Sequence, residues 1–216
     1  MTYVTPSFGG VKVYAQYSFQ ANGQEEADVN NNNRYAALGV NYNGGAFSTG
    51  LVVDYLMKGE YKAMYTDSKG KVQEHKDGDR TDQWKVSYGA SYDFGVAKVM
   101  GMVQYTEHLD KIGGVYSFAG STLNGGDGLK GWNVALGTVA PVAGGDLKAQ
   151  VNYVNVKDED NSARKLDGYG LGLEYVYPLS KRTSVYTWGT YNQFKDKAKD
   201  EKTKVGQVGL GLTHKF

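Results

Sequence analysis

The sequence contains no cysteine and only three prolines in 216 residues. Without cysteine the chain can form neither a disulfide framework nor a cysteine-rich zinc site, and it has no thiol nucleophile. No stretch approaches the roughly twenty apolar residues that a membrane-spanning helix needs. The mean hydropathy of -0.52 suits a soluble protein, but it also suits a membrane barrel, in which only alternate residues face lipid. The formal net charge of +1 argues against a nucleic-acid partner, because no basic stretch stands out.

The first residues of the sequence do not show the pattern of a secretory signal peptide. Residues 1–4 carry no basic region followed by an apolar run, which is the pattern of a secretory signal. We expect either that a signal was removed and a start Met supplied, or that the N-terminal part of the gene product is missing.

Glycine and tyrosine are abundant, with 30 and 18 residues, and apolar residues alternate with polar ones. In residues 83–94 every second side chain is apolar or aromatic, from Trp84 to Phe94. This period of two predicts β-strands, because a helix needs spacings of three and four. Eleven such segments lie near residues 1–5, 10–20, 33–43, 46–58, 81–94, 96–108, 130–142, 145–157, 165–177, 183–194 and 204–216.

The lengths of these segments and of their connections favour a membrane barrel. Trp84 and Phe94 are about 33 Å apart along a strand, which matches the apolar band of a bilayer when the strand is tilted. Short connections, such as residues 43–45 and 143–144, alternate with long ones, such as 21–32 and 59–80. We therefore predict an all-β, antiparallel, up-and-down transmembrane β-barrel of about ten to eleven strands, with residues 1–216 forming a single domain.

Five motifs in chain order resemble the trimeric general porins of Gram-negative bacteria, in their β-proteobacterial branch. They are YVTPSFGG at 3–10, SYDFGVAKV at 91–99, APVAGGD at 140–146, YPLSKRTSVY at 177–186 and VGLGLTHKF at 208–216. The resemblance implies an outer-membrane homotrimer that conducts ions and small hydrophilic solutes, with lipid and lipopolysaccharide around it. Such porins have about sixteen strands, so the N-terminal third of the family, with its constriction loop, is expected to be absent here.

Charged residues inside the predicted strands are the candidate pore lining. A charged side chain facing lipid at the midplane costs about 2–4 kcal/mol, so we expect these side chains to face the lumen. They are Lys12, Lys85, Lys98, Lys148, Asp54 and Glu174. Four lysines against two acids predict a weak preference for anions.

The opposite positions of the strands are expected to face lipid. This outward set is Val13, Leu51, Val86, Val134, Val151, Leu173 and Leu210. The chain ends on an aromatic residue after alternating apolar ones, and by resemblance to the family we interpret Leu210, Leu212 and Phe216 as the signal for outer-membrane assembly.

Catalytic and metal sites are not predicted. His75, His108 and His214 are the candidate bases, but no Gly-x-Ser-x-Gly motif accompanies them. The acidic segments 77–79 and 158–161 do not have the spacing of an EF-hand, and the glycine pairs lack the Lys-Ser/Thr of a phosphate-binding loop. We therefore expect no cofactor.

The sequence thus predicts a passive diffusion pore. Two alternatives stay open: a membrane-barrel enzyme of the lipase or acyltransferase type, favoured by a serine near His108 or His214, and a truncated or engineered barrel without native transport. We also predict that segment 10–20 pairs with segment 204–216 and closes ten strands, leaving residues 1–5 as a surplus tail.

Overall fold

Eleven strands form one antiparallel sheet in the computed structural model, which describes residues 1–21, 32–59, 61–66, 71–77, 81–109, 123 and 128–216. The strands of the described residues are β1 (Thr2–Val4), β2 (Val11–Ser18), β3 (Arg34–Gly44), β4 (Phe47–Met57), β5 (Tyr61–Thr66), β6 (Val72–Asp77), β7 (Gln83–Asp93), β8 (Lys98–Leu109), β9 (Leu129–Val142), β10 (Gly145–Asp158), β11 (Lys165–Pro178), β12 (Thr183–Asp196) and β13 (Glu201–His214). Each segment predicted from the period of two therefore corresponds to a strand.

Neighbours in the sheet are neighbours in sequence, except that β4 pairs with β7. Between them β5 and β6 pair with each other in a separate two-stranded sheet. This hairpin was not predicted, because we assigned residues 59–80 to a long connection. No helix among the residues described by the structure is long and apolar enough to cross a membrane.

The alternation of side chains gives the sheet two different faces. Along β11 the side chains of Tyr169, Leu171 and Leu173 are exposed, whereas Leu166 and Gly168 are buried. Directly paired residues of neighbouring strands lie on the same face, so the face of each residue follows from the register of the strands. The buried apolar residues lie on the face of Leu166, which we call the concave face, and we call the other face convex.

Tight turns join the strands at one end of the sheet. Gly45, between β3 and β4, has a φ of 59°, and Gly95, between β7 and β8, has a φ of 80°. Both values lie in the left-handed region that glycine adopts without steric cost. Asp93 fixes the second turn by accepting a hydrogen bond from the Gly95 amide at 2.8 Å. At the opposite end the connections between β2 and β3, β4 and β7, and β8 and β9 are longer, as is typical of outer-membrane barrels, whereas residues 197–200 join β12 and β13 in a short turn.

The concave face carries its apolar core near the long connections. Leu166 and Phe194 form one buried cluster, and Leu129, Val154 and Val156 form a second. Leu123, from the connection between β8 and β9, packs against both clusters. This contact places Leu123 against β9–β12.

The predicted closure of the barrel is wrong for the described residues. Segment 10–20 pairs with β1 and β3, and β13 pairs with β12, so β1 and β13 are the two edges of an open sheet. Residues Thr2–Val4 form a strand paired with Tyr14–Gln16 instead of a surplus tail. The prediction used strand direction alone, and direction permits a pairing without selecting it.

Candidate functional site

The concave face encloses a cavity of about 780 Å³. Residues from eight strands line it, and small side chains such as Gly50, Gly89, Ala135 and Gly172 leave its centre open. Their positions follow from the period of two, because each lies on the same face as its partner in the next strand. The charged and polar side chains of the cavity therefore point into a shared space.

The register places the six candidate pore-lining residues on this concave face. Lys12 pairs with Asn41 of the cavity wall. Lys98 and Lys148 both pair with Val139, one on each side of it. Glu174 lies opposite Lys148, and Asp54 lies opposite Lys85. The structure thus brings Lys98, Lys148 and Glu174 together near the short turns and places the Asp54–Lys85 pair nearer the long connections.

Lys148 and Glu174 form an exposed ion pair. The Lys148 Nζ donates to Glu174 Oε1 at 2.8 Å, and the two side chains are 45% and 37% exposed. Lys98 has no ion pair among the described residues. This part of the cavity therefore presents one lysine in an ion pair and another, Lys98, that lies opposite Asp93 without an ion pair to it.

Asp54 and Lys85 form a less exposed pair. Asp54 is only 6% exposed, and its Oδ1 lies 3.3 Å from Lys85 Nζ. A buried carboxylate needs such a partner, because an unpaired charge away from water is costly. The charge of Lys85 thus mainly stabilises the buried carboxylate of Asp54 in the neighbouring strand.

Trp188 is a cavity residue that the sequence analysis did not single out. It lies opposite Glu174 on one side and Gly209 on the other. The same arrangement repeats two residues on, where Tyr186 lies opposite Gly211. The sequence contains two aromatic residues in β12 and two glycines in β13. Recognising that each aromatic ring lies opposite a glycine requires knowledge of how the two strands are paired.

The convex face carries the predicted outward set. Val13, Leu51 and Val134 belong to one row of paired residues that crosses the sheet. Val86, Val151, Leu173 and Leu210 lie on the same face. Leu173 is 48% exposed and Leu210 82%, so these apolar side chains form the surface expected against lipid.

Aromatic side chains border this apolar surface at both ends. Near the long connections the rings of Trp84 and Tyr105 are 5.3 Å apart, and those of Trp132 and Tyr153 are 5.0 Å apart. Near the short turns Tyr92 packs against Phe94 at 4.6 Å. Two such bands are the aromatic girdles of a membrane barrel.

His108 lies at a bulge of β8 and has a φ of 56°. The bulge frees its backbone groups from the ladder. Its amide donates to Glu159 Oε1 at 2.8 Å, and its carbonyl accepts from Lys58 Nζ at 2.9 Å. The ring Nδ1 lies 3.1 Å from the same Glu159 oxygen. These contacts indicate a structural role for His108.

In the described part of the chain, His214 and the acidic segment 158–161 contact threonine and arginine side chains. His214 Nδ1 lies 2.9 Å from Thr183 Oγ1 on the exposed edge. Asp158 lies 3.5 Å from Arg164, and no group of His, Asp and Glu among the described residues could hold a metal ion. The His75 side chain and residues 77–79 lie outside the described side chains.

Comparisons with known proteins agree with this architecture. The sequence model of the Gram-negative porin family matches residues 1–198. Outer membrane porin protein 32 of Delftia acidovorans is 31% identical over 187 residues, which cover 86% of this chain and 43% of the relative. An outer membrane porin of Bordetella pertussis is 30% identical over 99% of this chain and 56% of its own length.

A solved structure, the anion-selective porin from Comamonas acidovorans, matches all of this chain with a TM-score of 0.64 and 26% identity. The match covers 58% of that porin, so the chain spans about half the length of the relatives it matches. Each of these relatives is named as a porin. The chain belongs to the Gram-negative porin family and is a protein of the outer membrane.

Proposed function

We propose that residues 1–216 form, as a single domain, the wall of a passive diffusion channel for ions and small hydrophilic solutes. The observation that carries this proposal is the separation of the two faces. The six candidate pore-lining side chains lie on the concave face with the cavity, whereas the apolar set and the aromatic bands lie on the convex face. A water-filled pore in lipid requires this separation.

The channel is proposed to prefer anions weakly. Among the six candidate pore-lining residues, Lys12, Lys85, Lys98 and Lys148 outnumber Asp54 and Glu174, although the register also places Asp93 and Asp146 on this face. The two ion pairs offset part of this excess, so Lys12 and Lys98 carry most of the preference. The similar porin of Comamonas acidovorans is described as anion-selective, which supports the same sign here.

The assembled channel is proposed to be a homotrimer surrounded by lipid and lipopolysaccharide, as the family resemblance implies. No cofactor takes part, because passive diffusion has no chemical step. Leu210, Leu212 and Phe216 are proposed as its assembly signal. Leu210 and Leu212 lie on the convex face of β13, and the Phe216 ring packs against His214 at 5.1 Å.

Single-channel recording of the full chain, extracted from outer membranes and added to a planar bilayer, tests the proposal. Wild-type protein should give stepwise ohmic currents and, in a salt gradient, a reversal potential of the sign expected for anions. The variant K98Q/K148Q should move that potential towards zero, because both lysines line the cavity. Bilayers without discrete current steps would contradict the pore and favour a truncated barrel without transport.

The matched control is K157Q/K204Q, which removes the same charge from the convex face. Lys157 pairs with Lys130, and Lys204 pairs with Gln193, on the face of the apolar set. This variant should keep the wild-type reversal potential. An equal shift in both variants would show that surface charge, and not the concave face, sets the preference.

A further inference from the structure

Two aromatic side chains of β12 lie over glycines of β13 on the concave face. Trp188 is paired directly with Gly209, and Tyr186 is paired directly with Gly211. A Cβ built on either glycine would collide with the ring opposite it, so each ring lies along the sheet instead of extending across the cavity. We call Trp188 and Tyr186 the aromatic platform.

A third aromatic residue of β12 packs in the same way but is covered. A Cβ built on Gly168 would collide with the ring of Phe194, which is 1% exposed. Leu123 and Val205 pack against the cluster that contains Phe194. Trp188, in contrast, is only half-buried and lines the cavity. Packing within the protein therefore accounts for the whole surface of Phe194, whereas part of the Trp188 surface is open to a solute in the cavity.

Polar side chains that can bind hydroxyl groups lie next to this open ring. Glu174 is paired directly with Trp188, and its carboxylate accepts a hydrogen bond from Lys148 Nζ at 2.8 Å. Directly paired residues have Cβ atoms about 4.5–5.5 Å apart, so the ion pair begins beside the indole ring. Gln150 and Thr190 line the same cavity, two residues from Lys148 and Trp188. A carboxylate, an amine, an amide and a hydroxyl thus share one wall of the cavity with the ring.

The charges on this wall do not favour an anionic solute. The charge of Lys148 is matched by Glu174 at 2.8 Å, and the register places Asp146 on the same face, two residues from Lys148. Lys98 lies four strands away from Trp188 in the sheet, which is about 19 Å at the usual strand spacing. A neutral solute with hydroxyl groups therefore suits the surroundings of the ring better than a carboxylate or a phosphate does.

We propose that the aromatic platform and the Lys148–Glu174 pair form a binding subsite for neutral saccharides in the wall of the channel. This inference deepens the proposed function and rests on it for the access of solutes to the concave face. A pyranose ring has an apolar C–H face, which packs on an aromatic ring, and a rim of hydroxyl groups, which donate to a carboxylate and accept from an amine. Small-molecule sites combine an aromatic surface with a few polar groups in this way.

The length of the aromatic platform matches more than one sugar ring. Trp188 and Tyr186 are two residues apart on the same face, a distance of about 7 Å along the strand. Neighbouring rings of an oligosaccharide can therefore each contact one aromatic side chain. We expect the subsite to bind a short oligosaccharide more tightly than a single sugar.

Binding of maltotriose to the detergent-extracted full chain, measured by isothermal titration calorimetry, tests the proposal. Wild-type protein should bind maltotriose saturably and should not bind sorbitol, which has the hydroxyl groups but no ring face. In W188L the affinity should fall about tenfold, because the aromatic surface is lost, whereas W188F keeps a flat ring and should keep most of the affinity. The matched control is Y191L, which removes an aromatic side chain from the convex face of the same strand and should bind like the wild type.

A second pair of variants tests the carboxylate. E174A removes the acceptor beside the ring, and its affinity for maltotriose should fall about tenfold, the effect of losing a hydrogen bond to a charged group. Its control is E201A, because Glu201 also lies on the concave face but opposite Asp196, at the other end of the sheet. E201A should bind like the wild type.

Heat-modifiable migration on gels should show that the variants are folded, and if W188L does not fold, the comparison of E174A with E201A decides. Absence of maltotriose binding, equal affinity of the wild type and W188L, or equal binding of sorbitol would overturn the proposal. Binding of tetramethylammonium instead of maltotriose would also overturn it, by assigning the ring to cations. Failure of the pore proposal is separate, because it appears as absent currents in the wild type and leaves the heat of maltotriose binding unchanged.

Discussion

The indole ring of Trp188 lies against the Cα of Gly209 in the neighbouring strand. The two residues are directly paired, and a Cβ built on Gly209 would collide with three atoms of the indole ring. Glycine is therefore required at this position by the ring, and not by the backbone conformation. The Trp188 ring in turn covers the backbone of β13 at Gly209, which has no side chain of its own to pack there.

We expect the substitution Gly209→Ala to destabilise the sheet by about 1–3 kcal/mol, the usual cost of overpacking. The added methyl group must push the Trp188 ring towards the cavity. Urea unfolding followed by tryptophan fluorescence checks the stability. Gly206→Ala is the matched control in the same strand, because its Cβ would meet nothing nearer than the Thr190 backbone oxygen at 3.9 Å. Equal midpoints for the two variants would contradict the packing described.

The three tryptophans report on the two faces of the sheet. Trp84 and Trp132 lie on the convex face and Trp188 on the concave face. In single-tryptophan variants, with phenylalanine at the other two positions, brominated lipids should quench Trp84 and Trp132 more strongly than Trp188. Iodide, which enters a water-filled pore, should show the reverse order. Strong quenching of Trp188 by brominated lipid would mean that the faces are assigned the wrong way round.

Removing the acid of the Lys148–Glu174 pair should strengthen the anion preference. In E174Q the Lys148 amine loses the carboxylate that lies 2.8 Å away, so its full charge acts on permeating ions. The reversal potential in a salt gradient should move further in the anion direction. D200N is the control, since Asp200 lies in the exposed turn before β13 and pairs there with Lys195. A shift in D200N as large as that in E174Q would argue for a general surface effect.

Deletion of Phe216 should reduce assembly in cells. Phe216 is fully exposed beyond the end of β13, so its loss removes no packing from the sheet beyond the ring contact with His214. Immunoblots of outer-membrane fractions should show less heat-modifiable protein than the wild type. Phe216→Tyr keeps a terminal aromatic and should assemble normally. Unchanged insertion of the deletion variant would rule out a role as assembly signal.

The faces of the strands could be predicted from sequence because the side-chain period of two is strict. Lys98, Lys148 and Glu174 were assigned to one face from alternation alone, and the register agrees. Which strands meet cannot be derived in this way. Alternation does not say which edge a strand uses, so the predicted pairing of 10–20 with 204–216 was wrong.

Contacts that depend on the register between strands could not be predicted from the sequence either. The pairing of Trp188 with Gly209 and the adjacency of Lys130, Lys157 and Lys165 each require knowing which residue faces which across two strands. The hairpin β5–β6 was not predicted from the sequence, for a different reason. Its second strand, Val72–Asp77, is almost entirely polar, so it lacks the apolar alternation by which strands were recognised.

The register of the sheet, which shifts at the His108 bulge of β8, restricts how a sequence of this kind can change in length. From Val13 to Val134 one row of paired residues stays on the convex face through six strands. One extra residue within a strand would turn over every side chain beyond it, placing lysines in lipid and valines in water. Insertions and deletions are therefore tolerated in the connections, and within a strand only in pairs of residues or where a bulge such as that at His108 absorbs the odd one.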